Sequence, residues 1–318
     1  MGVSIIIPAF INKYRTCDRL LLTLQGYINQ TLVDDYEIIV VIDGSKYYDE
    51  ELIYRYIDCE KIVIKIIEER QGMCNAINYG VDFAKYDYIL IGVDDAIPLP
   101  DCVEKLLSGN LEKNVVMGEE RWLLHTTGIK NLFTGELYLG INLDDYKKQY
   151  GEGMRKFSKI SIRDIDKNIK ELIKHTELVG LYKDLPTLID KYPKHSWLYF
   201  RPGIVLIEKE KFLSINGFDR HFDPDGWYSD VDFGIKLKNN NIGIELVSDA
   251  KFIHPHHLKF EDTSNLEKKR FKTLIDKYPY FDILFLQFLW DDLNYVKFIE
   301  TLERLKELHK NEDGIKWI

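Results

Sequence analysis

Four short apolar runs, rich in β-branched residues, constrain this chain most. Val3–Ile7 stops at Pro8, and Tyr36–Ile42 stops at Asp43-Gly44-Ser45. Ile62–Ile67 is the third, and Tyr88–Val93 runs straight into Asp94-Asp95. Runs without polar alternation suit strands buried on both faces. Between them, Leu20, Leu21, Leu24 and Ile28 are spaced for a helix over Arg19–Gln30. Further helices are expected near Asp49–Ile57 and over Gly72–Ala84. Such alternation argues for an open α/β sheet with parallel strands, which binds ligands beyond the carboxyl ends of its strands. Here those ends carry Pro8, Asp43 and Asp94-Asp95.

The rest of the chain changes character. Residues 119–195 are rich in Lys, Asp and Tyr and predict irregular loops with helices, for example Ile165–Thr176. A β-rich pattern returns from Trp197 to Pro255, with strands expected in GIVLIEK and IGIELV. Leu266–Leu308 predicts helices with a break at Pro279. In this tail Phe281, Leu284, Phe285, Phe288, Leu289 and Trp290 recur largely at helical spacing. Many flanking acids favour packing on the main domain or a homodimer interface over a peripheral membrane contact.

Of 318 residues, 45% are hydrophobic and 30% charged, enough for a sizeable core. A net charge of -9 argues against a nucleic-acid binder, which needs a basic face. Cys17, Cys59, Cys74 and Cys102 form no CxxC pair, so reduced thiols are expected in preference to disulfides or structural zinc. MGVSIIIPAF has no basic leader and is interrupted by Pro8, so it does not read as a signal peptide. No apolar stretch reaches the ~20 residues of a membrane span. The expectation is a cytoplasmic protein.

Four clusters could carry chemistry, and each has a plainer reading. Asp94-Asp95 at a strand end could hold a hard cation, or could be two solvated acids in a loop. Asp43 could accept a hydrogen bond from a base or ribose, or could start an ordinary Asp-Gly turn. Asp230 and Asp232 follow Trp227-Tyr228. One acid could be a general base beside an aromatic platform, or both could serve a helix N-terminus. His254-Pro255-His256-His257 could offer a metal ligand, or could be an exposed polar loop.

Together these pieces resemble the family 2 glycosyltransferases and their relatives with the GT-A fold. The matching segments are SIIIPAF, EIIVVIDGS, ERQGMCNAINYG, YILIGVDDAIPLPD, GFDRHFDPDGWYSDVDFGIKL and IHPHH, within about residues 3–110 and 197–257. The resemblance implies a Rossmann-like mixed sheet flanked by helices. Residues 1–260 would form the catalytic domain, with a nucleotide-binding half at 1–110, a variable insert at 119–195 and an acceptor and catalytic half at 197–257. Residues 261–318 would be a helical extension.

It also implies a nucleotide-sugar donor, by family habit a UDP-sugar, and a glycan, lipid-linked or protein acceptor. Pro8, Ala9, Phe10, Asp43, Arg70, Gly72, Asn75 and Asp94 would contact the nucleotide. Asp95 would ligate Mn²⁺ or Mg²⁺ with His254, or with His256 as the alternative. Asp230 would be the base, and Trp227, Tyr228 and Asp232 would meet the sugar or acceptor. Two positions depart from the family pattern: Val93 stands where the metal motif has its first Asp, and Ser229 where the base motif has Glu. The implied reaction is a single in-line displacement with inversion. Rival readings are a nucleotidyltransferase, disfavoured because PAFINKYRTCDR lacks the usual glycines, a glycoside hydrolase with paired carboxylates, and a non-catalytic nucleotide-binding relative.

Overall fold

The apolar runs become the centre of one sheet. The computed structural model describes residues 2–11, 17–31, 35–44, 53, 60–123, 126–130, 137–138, 158–160, 169, 173–178, 181–255, 264–292, 294–312 and 314–318. Its strands are β1 (Val3–Ala9), β2 (Tyr36–Asp43), β3 (Ile62–Ile67), β4 (Tyr88–Ile91), β5 (Ile97–Pro98), β6 (Asn114–Leu123), β7 (Thr126–Lys130), β8 (Leu137–Tyr138), β9 (Ser158–Ile160), β10 (Val205–Glu208) and β11 (Gly243–Pro255). Its helices are α1 (Cys17–Ile28), α2 (Met73–Asp82), α3 (Cys102–Leu107), α4 (Leu181–Lys191), α5 (Lys209–Ser214), α6 (Ser229–Asn239), α7 (Ser264–Lys277), α8 (Phe281–Leu284), α9 (Leu286–Asp292) and α10 (Tyr295–Leu308).

The main sheet has eight strands in the order β3-β2-β1-β4-β10-β6-β11-β5, and a small sheet has the order β8-β7-β9. β1 is parallel to β2 and β4, and β3 is parallel to β2. β10 is antiparallel to β4 and β6, while β11 is parallel to β6. This is the expected α/β mixed sheet. The continuous apolar runs have a simple cause. Ile6, Ile39, Val41, Ile89 and Ile91 feed one core, and Ile5, Ile7, Ile38, Val40, Ile42 and Leu90 feed the other. Both faces are covered, so neither tolerates polar alternation.

The topology also collects loops at one edge. The chain builds outward from β1 through β2 to β3, then returns to place β4 on the other side of β1. That reversal is the switch point at which open α/β sheets bind ligands. Val205, the first residue of β10, sits opposite Ile91 of β4 and Met117 of β6. The start of antiparallel β10 therefore lies at the same edge as the ends of β1, β2, β4, β6 and β11.

Several elements differ from expectation. β4 ends at Ile91: the Gly92 N–H makes the last bond to β1, to Ile6 O at 2.9 Å, and the chain then turns through Asp94 and Asp95. β6 runs on to Leu123, where irregular chain was expected, because it pairs with β11 as far as Leu123 opposite Pro255. IGIELV is only the start of β11, which continues through His254. Of the helix expected over Ile165–Thr176, the described part is helical Ile169 and a 3-10 turn at Ile173–His175. The helix expected near Asp49–Ile57 lies outside the described residues except for Ile53, which is helical and buried.

The tail breaks near Pro279 as expected and again on either side of α9. Its Leu274, Ile283, Leu286, Leu289, Phe298, Ile299 and Leu302 are buried in the same core as Ile6 and Val41, so the described tail packs on the sheet domain. Cys74 and Cys102 are buried free thiols, and the side chains of Cys17 and Cys59 lie outside the described residues. No described helix is long and apolar enough to cross a membrane.

Candidate active site

At the switch point, Pro8 and Ala9 are buried opposite Val41 and Ile42, and Phe10 is half-buried just beyond β1. The Arg70 guanidinium lies 3.9 Å from the Phe10 ring centroid, a cation–π stack that places a fixed positive charge at the strand ends. Asp43 ends β2 and is almost wholly buried. Its Oδ1 accepts from the Gln71 N–H and its Oδ2 from the Gly72 N–H, both at 2.7 Å. Asp43 therefore shapes the 70–72 loop. Each carboxylate oxygen still has a second lone pair for a ligand N–H or O–H.

Gly72 has φ +111°, and a Cβ there would lie 2.4 Å from Asp223 Oδ1. Only glycine suits that backbone and that space. Asp223 caps α2 from far along the chain: Cys74 N–H and Asn75 N–H each donate to its carboxylate at 2.9 Å. The N-terminus of α2, ordinarily a ready anion site, is thus occupied by an acid of the chain itself. Burial pushes the Asp223 carboxyl up and the nearby Asp43 charge adds to this, while the N–H bonds oppose it. Asn78 fastens the same two segments, donating to Phe218 O at 2.8 Å and accepting from Phe218 N–H at 2.9 Å. Gly72 and Asn75 are accordingly engaged in fastening the start of α2 to the 218–223 segment.

Asp94 and Asp95 form the turn after β4. Asp95 Oδ2 lies 3.7 Å from His254 Nε2, too long for a hydrogen bond but close for charge attraction. On its other side, His254 Nδ1 is 2.5 Å from Glu120 Oε1, which also accepts from Trp122 Nε1 at 2.8 Å. Trp122 faces His254 across β6 and β11, with ring centroids 5.5 Å apart. Burial alone would lower the basicity of His254, but the Asp95 charge and the Glu120 contact override it and raise the ring to about 10. The charged form of the ring is therefore favoured between these two acids. Among the described residues, no three or more His, Cys, Asp or Glu side chains gather into a group that could hold a metal ion. His256 lies outside the described residues.

Asp230 opens α6. Its Oδ1 accepts from the Val231 N–H at 2.9 Å, and its Oδ2 meets Arg201 Nη1 at 2.8 Å. Arg201 also donates to Phe200 O at 2.7 Å and to the Tyr295 hydroxyl. Because Arg201 lies just before β10, it fixes Asp230 at the same sheet edge as Asp95 and His254. Trp227 is partly buried against the core, and its N–H bonds Asp225 Oδ1 at 3.0 Å.

Two expectations need correction. Asp232 is fully buried and contacts Lys277, Tyr278 and Lys236, so it anchors α6 to α7 and is out of reach of an acceptor. Its spacing from Asp230 would share a face on a strand, but α6 is a helix, where two residues apart is roughly 200° around the axis. Tyr228 is also buried. It packs on Phe271 at 5.4 Å between ring centroids, with a left-handed backbone at φ +65°. Glu120, Arg201, Asp223 and Tyr295 were not foreseen. The pattern of Glu120 and Trp122 two apart was available as a strand signal, but the contacts of the other three join distant parts of the chain.

Comparison with known proteins places the same segments. The description "Glycosyl transferase family 2" matches residues 4–119, and "N-terminal domain of galactosyltransferase" matches residues 188–258. A chondroitin synthase of Pasteurella multocida is 26% identical over 288 residues, covering 88% of this chain and 28% of that protein. A chondroitin synthase of Escherichia coli is 34% identical over 110 residues, covering 33% of this chain and 15% of that protein. A poly-beta-1,6-N-acetyl-D-glucosamine synthase of Staphylococcus aureus is 32% identical over 71 residues, 21% of this chain and 17% of that protein. The chain thus spans well under a third of these relatives. Among solved structures, S. aureus TarS 1-349 superposes with a TM-score of 0.50 at 13% identity, covering 80% of this chain and 60% of that one. The same fragment in complex with UDP gives 0.50 at 13% identity, covering 87% of this chain and 66% of that one. Residues 4–119 therefore match a family 2 glycosyltransferase segment, and the mixed sheet that they open has the fold of the TarS glycosyltransferase structures.

Proposed function

We propose that this chain transfers a sugar from a UDP-sugar to an acceptor hydroxyl with inversion, using Asp230 as base and a divalent cation at Asp95 and His254. One observation carries the reading: the topology brings Pro8–Phe10, Asp43, Asp95 and His254 to a single sheet edge at the switch point, and the Arg201 contact ties Asp230 to the segment that leads into β10 there. The relatives named as chondroitin synthase and poly-beta-1,6-N-acetyl-D-glucosamine synthase and the UDP complex of TarS support the donor.

Asp95 and His254 would supply two ligands to Mn²⁺ or Mg²⁺, one short of the three-group cluster that the described residues do not form. Asp95 offers oxygen, His254 offers imidazole nitrogen once deprotonated, and hard cations complete their shells with water and substrate phosphates. When bound, the cation would offset charge on the departing diphosphate. The chain's own residues supply the rest. Asp43 and Arg70 frame the nucleoside end, with the Arg70 charge turned to the strand ends. Glu120 orients His254 through Nδ1, which leaves Nε2 facing Asp95. Asp230, held by Arg201 and the Val231 N–H, takes the acceptor hydroxyl proton as the new glycosidic bond forms. Trp227, at the mouth of α6, is proposed to face the sugar or acceptor.

The test is stereochemical. Proton NMR of the first product from an α-linked UDP-sugar is expected to show a β-linkage and stoichiometric UDP. A retained α-linkage would refute single displacement. UDP-sugar binding without transfer or hydrolysis would favour the non-catalytic reading.

A further inference from the structure

The carboxylate proposed as base is held by a chain of contacts that ends in the C-terminal helices. Arg201 and Asp230 are both largely shielded, with side chains 18% and 20% exposed. The planar guanidinium directs Nη1 to Asp230 Oδ2 at 2.8 Å and Nη2 to the Tyr295 hydroxyl. A guanidinium fork cannot turn toward one partner without moving away from the other. Tyr295 is in turn a fixed point. It is only 2% exposed and is the first residue of α10, whose N-cap Asn294 accepts from the Lys297 N–H at 2.9 Å. Phe298, Ile299 and Leu302 then clamp α10 into the core shared with Ile6 and Val41.

Resting on the reading of Asp230 as base, we propose that Tyr295 and Arg201 are positioning residues of the transfer reaction. α10 sets the direction of the Arg201 guanidinium, and Arg201 sets the orientation of the Asp230 carboxylate. With Oδ1 fixed by the Val231 N–H and Oδ2 by Arg201, the carboxylate plane is determined, and with it the direction of the lone pair that remains on each oxygen. The C-terminal helices are thereby part of the acceptor side of the active site, beyond their role in packing. Tyr295 touches neither substrate in this account and acts only through Arg201.

The experiment uses the full chain and steady-state UDP-sugar turnover. Tyr295→Phe removes one oxygen and keeps the buried ring. It is expected to lower kcat by about tenfold with the donor KM within about twofold, since small misplacements of a reacting group are costly. In an Asp230→Asn background the same substitution should change kcat by less than about twofold, because residues that act as one unit are not additive. Arg201→Ala should lose about 100-fold in kcat and regain part of it with a few tens of millimolar guanidinium, which refills the vacated fork. An unchanged kcat in Tyr295→Phe would overturn the proposal. So would an equal loss with and without Asp230, which would mark Tyr295 as purely structural. A wild-type chain that turns over no nucleotide sugar would instead sink the functional reading, and this proposal with it.

Discussion

Asp95→Ala is expected to lower kcat for sugar transfer by about 10²–10³-fold, the usual effect of deleting one group that stabilises charge in the transition state. Asp95 lies in the turn after β4, beyond the last strand residue Ile91, so its side chain holds no ladder together. Its described partner, His254, keeps the Glu120 contact at 2.5 Å when Asp95 is cut back. The fold should therefore survive, and the melting temperature of the variant should stay close to that of the wild type. What is lost is the acid opposite His254 at the switch point, where the donor's diphosphate is proposed to lie. Turnover measured across a Mn²⁺ titration checks this. The variant should need more Mn²⁺ and still reach a lower plateau. A wild-type plateau reached at wild-type Mn²⁺ would remove Asp95 from the site.

The second large effect is expected for Asp230→Asn, with kcat lower by about 10²–10⁴-fold, the range typical of a lost general base. Asn keeps the shape of Asp, and its oxygen can still accept from the Val231 N–H. The charge opposite Arg201 disappears. Because that pair is about a fifth exposed on each side, solvent screening limits the stability cost to about 1–2 kcal/mol, below the full penalty of a deeply buried pair. Donor KM should hardly move, since Asp43, Arg70 and Asp95 are untouched. Single-turnover rates separate the chemical step from product release, and the loss should appear in the chemical step. An Asp230→Asn chain that keeps near-full transfer would exclude Asp230 as the base.

Much of this site was legible because strand ends are legible. β1 and β2 are buried on both faces, so their sequences are largely apolar runs, and the residue that stops each run marks the sheet edge. Pro8, Asp43 and Asp94-Asp95 were found that way, and His254 through its cluster with His256 and His257. Glu120 was missed because GEERWLL looks like charged loop. It is strand only because β11 lies alongside, and that partner begins more than a hundred residues later. Asp223, Arg201 and Tyr295 were missed for a related reason. Each matters through a contact with a remote segment, Asp223 with the start of α2, Arg201 with Asp230, and Tyr295 with Arg201. Local pattern carries no record of such pairings.

Asp232 shows the opposite failure. It was expected to meet the sugar or acceptor, but the helix turns its side chain away into Lys277 and Tyr278. The tail was readable as amphipathic, yet its contribution of Arg270 to Asp225 and of Lys277 to Asp219 could be seen only in the fold. Those two ion pairs tie α7 to the 217–230 segment that carries Trp227 and ends at Asp230.

One edge of the sheet is proposed to hold a nucleoside diphosphate sugar together with a divalent cation. Calorimetric titration of the full chain with UDP, with and without Mn²⁺, reads this out. Saturable binding of one UDP per chain is expected, strengthening by at least about tenfold, or roughly 1.4 kcal/mol, when Mn²⁺ is present. Absence of binding to UDP and to every other nucleoside diphosphate under both conditions would contradict it.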